Sequence, residues 1–379
     1  MDKLNRIYQG DCLEVLKTFP DNSIDCCVTS PPYYALRDYG VSGQIGLEST
    51  FHEYINHLLD LFDEVKRVLK PTGSCWVNLG DSYSGSSNGA GDKTTTNRNK
   101  PESYKEMYKG QKPGKQIQDK SLLQIPARFA IGMTDRGWIL RNELIWYKRN
   151  CMPSSVTDRF TVDFEKIFFF VKNKKYWFEQ QFENFESNDY DRKRMESRKE
   201  YHGKWSEGYN SMPNLQRAFV AGSQQGRNKR CVWTINTKPY KEAHFATFPE
   251  TLIETPIKAG CPEFICTKCG KAREKIIESE QRSNKPKSNA NVKTNNDNSG
   301  KINRNNLSGD LREKHEIIKS CNCNAPFTGG IVLDPFFGSG TTGVVALKQN
   351  KNFVGIELNP EYIEIAEKRL ELYKLKLAI

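Results

Sequence analysis

The stretch from 331 to 343, IVLDPFFGSGTTG, constrains the fold of this chain more than any other. An apolar run ends on an acid, Asp334, and a glycine-bearing turn then opens a helical segment. Gly338 and Gly340 permit positive φ and let a ligand approach the backbone closely. A second apolar run, Phe353 to Ile356, closes on Glu357, 23 residues after Asp334. Strand, turn, helix and strand at this spacing predict a βαβ unit, and such units build parallel sheets covered on both faces. An acid at the end of the second strand can accept hydrogen bonds from both hydroxyls of a ribose, so an adenosine-containing ligand is expected. The run GSGTTG also satisfies G-x-G-x-x-G, so spacing alone leaves a dinucleotide open. Asp334 argues against it, because a carboxylate just before the glycines repels a pyrophosphate and suits a ligand with cationic groups. No GK[ST] follows, which removes a phosphate loop. A plain tight turn between strand and helix is the bland alternative.

The remaining pattern extends the α/β reading. Strands are expected over 6–11, 24–29, 74–79, 138–147 and 166–172, besides 331–334 and 353–356. Apolar residues three and four apart predict a helix over 51–69, ended by a turn at Lys70-Pro71-Thr72-Gly73. Further helices are expected over 12–19, 121–136, 247–259, 341–349 and 360–374. Residues 82–120 read as a long polar loop, and 280–313, rich in Asn, Ser and Lys, as disorder. No run approaches about 18 apolar residues, so no membrane helix is expected. The N-terminus, MDKLNRIYQGD, holds no apolar signal segment, which predicts a cytoplasmic location.

Lys and Arg number 57 against 46 Asp and Glu, a net charge of +11 that favours an anionic partner such as nucleic acid, or else reflects a Lys- and Asn-rich composition. Eleven cysteines at irregular spacing read as thiols or metal ligands rather than disulfides. Cys266 and Cys269 form a CxxC knuckle and Cys321 and Cys323 a CxC pair. Four thiolates can hold one structural zinc, with 280–313 looping out between the pairs and Cys261 as a spare ligand. Unrelated reduced thiols are the alternative.

Pro31-Pro32, directly after the buried strand SIDCCVT, forces the chain out of a sheet and leaves carbonyls free to face a ligand. TSPPYY at 29–34 together with DPFFGSGTTG at 334–343 resembles the amino-methylating DNA methyltransferases that use S-adenosylmethionine, over nearly the whole chain. The order, catalytic motif first and cofactor motif last, resembles the β group of that family. The resemblance implies a seven-stranded sheet with six parallel strands and one reversed, a Rossmann-like methyltransferase fold. It implies Ser30, Pro31, Pro32 and Tyr33 at the target base. Asp11, Phe248, Pro249, Asp334, Phe336, Gly338, Gly340 and Glu357 are implied at the cofactor. His244 is expected to pack rather than react, and 152–159 to border the base pocket.

The implied organisation is a catalytic part at 1–179, a target-recognition region at 180–235, a segment at 236–260 preceding the cofactor motif, a zinc-binding insertion at 261–330, and a cofactor part at 331–379. Arg192, Arg194, Arg198, Lys199 and Lys204, lying among Tyr190, Tyr201 and Trp205, are the candidate DNA contacts; a solvated charged face is the other reading. A second basic loop holds Lys93, Arg98, Lys100, Lys105, Lys109 and Lys112. The expected activity is direct methyl transfer to an exocyclic amine of a flipped base in double-stranded DNA. Ser30 in place of the Asp of many adenine-specific relatives leans toward cytosine N4, with adenine N6 as the alternative. A non-catalytic DNA-binding protein of the same fold, and methylation of RNA or protein, are the competing classes. A cognate restriction endonuclease and a homodimer complete the partners that the resemblance admits.

Overall fold

The computed structural model describes residues 4–36, 38–84, 117–183, 227–237, 248–281, 312–319 and 321–377. Its centre is a sheet of eight strands: β1 (Arg6–Gln9), β2 (Ile24–Thr29), β3 (Leu69–Leu79), β4 (Ile139–Tyr147), β5 (Phe164–Val171), β6 (Val232–Thr234), β7 (Ile331–Asp334) and β8 (Asn352–Glu357). The spatial order is β1-β8-β7-β2-β3-β5-β4-β6. β5 runs antiparallel to both of its neighbours, and every other pairing is parallel. The expected mostly parallel sheet with one reversed strand is therefore present, with one strand more. That strand, β6, pairs Val232 with Ile145 and extends the edge. It lies in the stretch 180–235 read as a recognition region, and three residues are too few to show a period in sequence. Its anchor is Trp233, buried between the exposed Val232 and Thr234.

Among the described residues six helices cover the sheet: α1 (Cys12–Lys17), α2 (Phe51–Val68), α3 (Ile125–Asp135), α4 (Glu250–Gly260), α5 (Thr341–Lys348) and α6 (Pro360–Leu377). On one face Leu16, Tyr54, Phe62 and Phe129 pack against Phe168 and Phe170. On the other, Leu252, Ile257, Val345 and Leu370 share a core with Trp76, Phe169 and Phe353. The phenylalanine run of β5 divides between the two cores because successive strand side chains point to opposite faces. Phe169 stacks on Trp76 of β3 with ring centroids 4.0 Å apart.

Two boundaries differ from the sequence expectation for identifiable reasons. α3 begins at Ile125 rather than 121, with Pro126 in its first turn and Gln124 before it at φ 58°. β3 begins at Leu69, the last residue of the expected helix, and runs through the expected turn. The turn survives as a shift in register, since Ile24 faces Leu69 while Cys26 faces Ser74. Pro71 lacks the N–H a continuous ladder needs, so the residues between bulge out.

Ile265–Cys266 pair antiparallel with Phe327–Thr328 in the same unit as the sheet, and two further ribbons belong to a second, smaller unit. Residues Glu274–Gln281 pair antiparallel with Arg312–Lys319, and Phe182–Glu183 with Arg227–Asn228. The first of these two places the ends of the stretch 280–313, expected to be without structure, in paired strands; residues 282–311 lie outside the described residues. No helix among the described residues is long and apolar enough to cross a membrane.

α2 carries the clearest local start signal. The Thr50 hydroxyl accepts from the Glu53 N–H at 3.1 Å, and the Glu53 carboxylate accepts from the Thr50 N–H at 3.1 Å. Thr50→Ala removes one half of this reciprocal cap and is expected to lower stability by about 1 kcal/mol in urea denaturation.

Candidate active site

The C-terminal ends of the parallel strands open into a cavity of about 780 Å³. Ser30, Pro31, Pro32 and Tyr33, following β2, line one part, and Phe336, Gly338 and Glu357, following β7 and ending β8, line another. Asp11 and Phe248 also border it. Both motifs thus reach one cavity because β7 lies directly beside β2 in the sheet. Open α/β sheets bind ligands at these carboxyl ends.

Asp334 is placed differently from its neighbours. It is not among the lining residues, and neither are Gly340 and Pro249. The Asp334 carboxylate is 1% exposed and lies inside the turn. It accepts from the Thr29 hydroxyl at 2.6 Å, the Thr342 hydroxyl at 2.6 Å and the Phe336 N–H at 3.0 Å. Gly340 is the N-cap of α5 at φ 82°, a conformation that L side chains rarely adopt. Pro249 is the N-cap of α4.

Glu357 is held at the cavity edge. Its two carboxylate oxygens accept from the Gly338 N–H at 2.7 Å and the Asn359 N–H at 2.8 Å. Burial raises its pKa above the ordinary carboxylate value, and those N–H groups oppose the shift. Asp11 caps α1, its carboxylate accepting from the Glu14 N–H at 3.0 Å, while also facing the cavity.

At the other end, the Ser30 hydroxyl donates to Asn78 Oδ1 at 3.4 Å. The Tyr33 hydroxyl contacts Asn78 Oδ1 at 3.2 Å and Glu165 Oε2 at 2.6 Å. Asn78 Nδ2 donates to Glu165 Oε2 at 3.1 Å and to the Lys166 carbonyl at 3.2 Å. Lys148 pairs with the other oxygen of Glu165. Burial first, and then the Glu165 charge, raise the Tyr33 hydroxyl pKa well above its ordinary value, so it stays protonated. The Tyr33 ring lies so close to Gly80 that a Cβ there would come within 2.5 Å of it. The Pro32 carbonyl accepts from the Tyr54 hydroxyl at 2.7 Å, fixing the chain after the proline pair.

Asn78, Glu165 and Lys148 were not among the residues singled out in the sequence. A polar Asn near the end of an apolar strand, just before Gly80-Asp81, is the one signal that points to the site. Glu165 and Lys148 carry no motif. Met152 of the stretch 152–159 lines the cavity, and Asp158 instead pairs with Lys120.

Two thiols, Cys12 and Cys151, border the cavity, and the cysteines of β2 lie in the core beneath it. Cys26 is fully buried in β2 with its pKa pushed up to about 12, and burial does the same to Cys12. Cys266, Cys269, Cys321 and Cys323 carry no disulfide, and their sulfurs lie within 4.8 Å of one another. The Gly270 N–H donates to the Cys266 carbonyl at 2.9 Å, closing the CxxC turn, with Gly270 at φ 69°. Cys261 stands outside this group, buried at the end of α4. The candidate DNA contacts Arg192, Arg194, Arg198, Lys199 and Lys204, the basic loop from Lys93 to Lys112, and His244 lie outside the described residues.

The burial of Asp334 has a measurable consequence. Desolvation raises its pKa to about 6; its three hydrogen bonds oppose this, and the Glu357 charge adds to it. The folded pKa exceeds the unfolded value of about 3.9, so the proton stabilises the fold. This contribution is fully present below about pH 4 and is lost as pH rises through about 6. Urea titrations of the wild type and Asp334→Asn should therefore show a stability difference that falls across that window. A flat difference would remove the assignment.

The profile of the N6/N4 DNA methylase family matches residues 24–368. Type II methyltransferase M.Cfr9I of Citrobacter freundii is 35% identical over 370 residues, covering 96% of this chain and 87% of that protein. Type II methyltransferase M.SmaI of Serratia marcescens is 34% identical, covering 96% of this chain and 90% of that one. The solved PvuII DNA methyltransferase, described as cytosine-N4-specific, shares the fold with a TM-score of 0.51 at 17% identity, covering 98% of this chain and 92% of its own.

Proposed function

The chain belongs to the N6/N4 DNA methylase family, and on that premise we propose that it methylates the exocyclic N4 amine of cytosine in duplex DNA, with the base turned out of the helix. The observation that carries the reading is the single cavity bordered by Ser30 and Tyr33 at one part and by Glu357 and Gly338 at another. It has room for a base and a nucleoside-bearing methyl donor together.

S-adenosylmethionine, the donor this family uses, supplies an electrophilic methyl group on a sulfonium. The residues present suit it. Glu357, anchored by two backbone N–H groups, keeps lone pairs for ribose hydroxyls. Asp11 adds a second acid at the cavity edge, and Phe336 and Phe248 add apolar surface. Asp334 serves from beneath, fixing the turn that carries Phe336 and Gly338.

An exocyclic amine is a poor nucleophile because its lone pair is delocalised into the ring. Accepting hydrogen bonds from its N–H groups draws that density back onto nitrogen and favours tetrahedral geometry. Ser30 Oγ and the Pro31 carbonyl are the acceptors, and Tyr33 supplies a flat face for the base. Positioning and electrostatics supply the rate, with no covalent intermediate on the enzyme. Ser30, a neutral acceptor where a carboxylate would stand in many adenine-specific relatives, supports the cytosine assignment. The basic segment carrying Arg192 to Lys204 is the proposed contact to the duplex.

Nucleoside mass spectrometry of DNA methylated in vitro tests this reading. N4-methylcytosine is expected; N6-methyladenine as sole product would overturn the base assignment and 5-methylcytosine the mechanism. Ser30→Ala is expected to slow transfer by about tenfold or more while leaving cofactor affinity within about twofold, since the lost bond belongs to the target amine.

The same reading places a structural zinc on Cys266, Cys269, Cys321 and Cys323. Zinc–sulfur bonds of about 2.3 Å hold tetrahedral sulfurs about 3.8 Å apart, within small side-chain rotations of this grouping. Four thiolates close the coordination shell, which suits a brace and not a catalytic metal. Elemental analysis of protein purified without chelators should find one zinc per chain, and Cys269→Ser should lose it. Metal-free wild-type protein would refute the site.

A further inference from the structure

Asn78 is buried, and its amide has two chemically opposite ends. Whichever end faces Ser30 decides what the Ser30 hydroxyl can do. If the oxygen faces it, Ser30 gives its proton to Asn78 and keeps its lone pairs for a ligand. If the amino group faces it, Ser30 must accept from Asn78 and has one acceptor site fewer for a substrate N–H. The neighbours of Asn78 settle the orientation. Nδ2 faces Glu165 Oε2 and the Lys166 carbonyl, both acceptors, at 3.1 and 3.2 Å. Oδ1 faces the hydroxyls of Ser30 and Tyr33. Tyr33 has one proton, and its shorter contact, 2.6 Å to Glu165, takes it. Asn78 Oδ1 is then left to the proton of Ser30.

We propose that Glu165, braced by Lys148, is a positioning residue for methyl transfer: it locks the Asn78 amide and engages the Tyr33 proton, so that Ser30 presents lone pairs to the target amine. The proposal rests on the reading of Ser30 as an acceptor for that amine. Lys148 belongs to the device because an unpaired Glu165 would be drawn toward solvent. The two side chains are each 17% exposed and form an ion pair, which holds the carboxylate on Asn78 and Tyr33. The reversed direction of β5 makes this possible. Its first residues lie beside the last residues of β3, with Leu79 opposite Lys166. A parallel strand would bring its C-terminal end here.

The test exchanges donor and acceptor. Glu165→Gln leaves two amides face to face with no fixed orientation. Asn78→Asp sets two carboxylates against each other. The double variant N78D/E165Q restores one acceptor facing Ser30 and one donor behind it, but not the bond to the Lys166 carbonyl or the acceptor for the Tyr33 proton, so its recovery is partial. Single-turnover methyl transfer to duplex DNA should fall by about tenfold or more in each single variant and recover in part in the double, a coupling typical of groups in one network. Cofactor affinity, read by calorimetry, should stay within about twofold in all three, because no atom of this network lies in the cofactor turn. Glu165→Gln at the wild-type rate, or losses that simply multiply in the double variant, would overturn the proposal. If Glu165→Gln fails to fold, Lys148→Met, which releases Glu165 without altering Asn78, carries the test: slowed transfer is expected, and a wild-type rate overturns the proposal. Ser30→Ala separates the premise from the inference. A wild-type rate in that variant sinks the acceptor reading, whereas a slow Ser30→Ala beside an unaffected Glu165→Gln sinks only the role of Glu165.

Discussion

The carboxylate of Asp334 joins the two halves of the site. It sits at the end of β7 and takes hydrogen bonds from Thr29 at the end of β2, Thr342 in the first turn of α5, and the backbone of Phe336. Thr29 directly precedes the Ser30-Pro31-Pro32-Tyr33 segment, and Phe336 lies in the glycine turn. One buried acid therefore sets where the Ser30 segment leaves the sheet relative to where the glycine turn begins. Hydrogen bonds to a charged group contribute about 1.5–3 kcal/mol each, and here they offset only part of the cost of burying the charge, which still raises the pKa. The sequence argument treated Asp334 as a surface facing a cationic ligand. Its position inside the turn gives it a mechanical role, and leaves Glu357 and Asp11 as the acids that border the cavity near the glycine turn, with Glu165 bordering it near Tyr33.

The sheet order turns sequence distance into proximity. β2 and β7 are separated by some three hundred positions yet pair in register, Val332 with Cys26. Asp25, 3% exposed, reinforces the same seam by accepting from the Ile331 N–H at 2.9 Å and pairing with Lys70 at 2.7 Å. The reversed β5 then brings a second set of polar groups to the cavity from the opposite chain direction. Parallel strands deliver their C-terminal residues to this edge, and β5 delivers its N-terminal ones.

Much of the fold was legible in the amino-acid order, because strand and helix periods are local properties. The βαβ unit at 331–357, the amphipathic 51–68 and the hairpin-like pair at 139–171 were visible as patterns of apolar residues and glycine. Short elements were not. β6 has three residues, and the ribbon strands flank a polar tract that masks them. The turn at 70–73 was expected as a break and is a bulge within a strand, since only the neighbouring strand shows that pairing resumes.

The sequence by itself determined the chemistry on offer: a Ser-Pro-Pro-Tyr exit from a buried strand, an acid-glycine turn and a terminal acid on the next strand. Those motifs are contiguous, and each derives its meaning from a few adjacent residues. Tertiary structure alone decided which side chains meet. Asn78, Glu165 and Lys148 converge on Ser30 and Tyr33 from three strands, and no two of those strands' contributions lie within ten residues of one another. Hydrogen bonds fall off within a few ångströms, so the choice of partner belongs to strand order and register, which no local pattern of residues encodes.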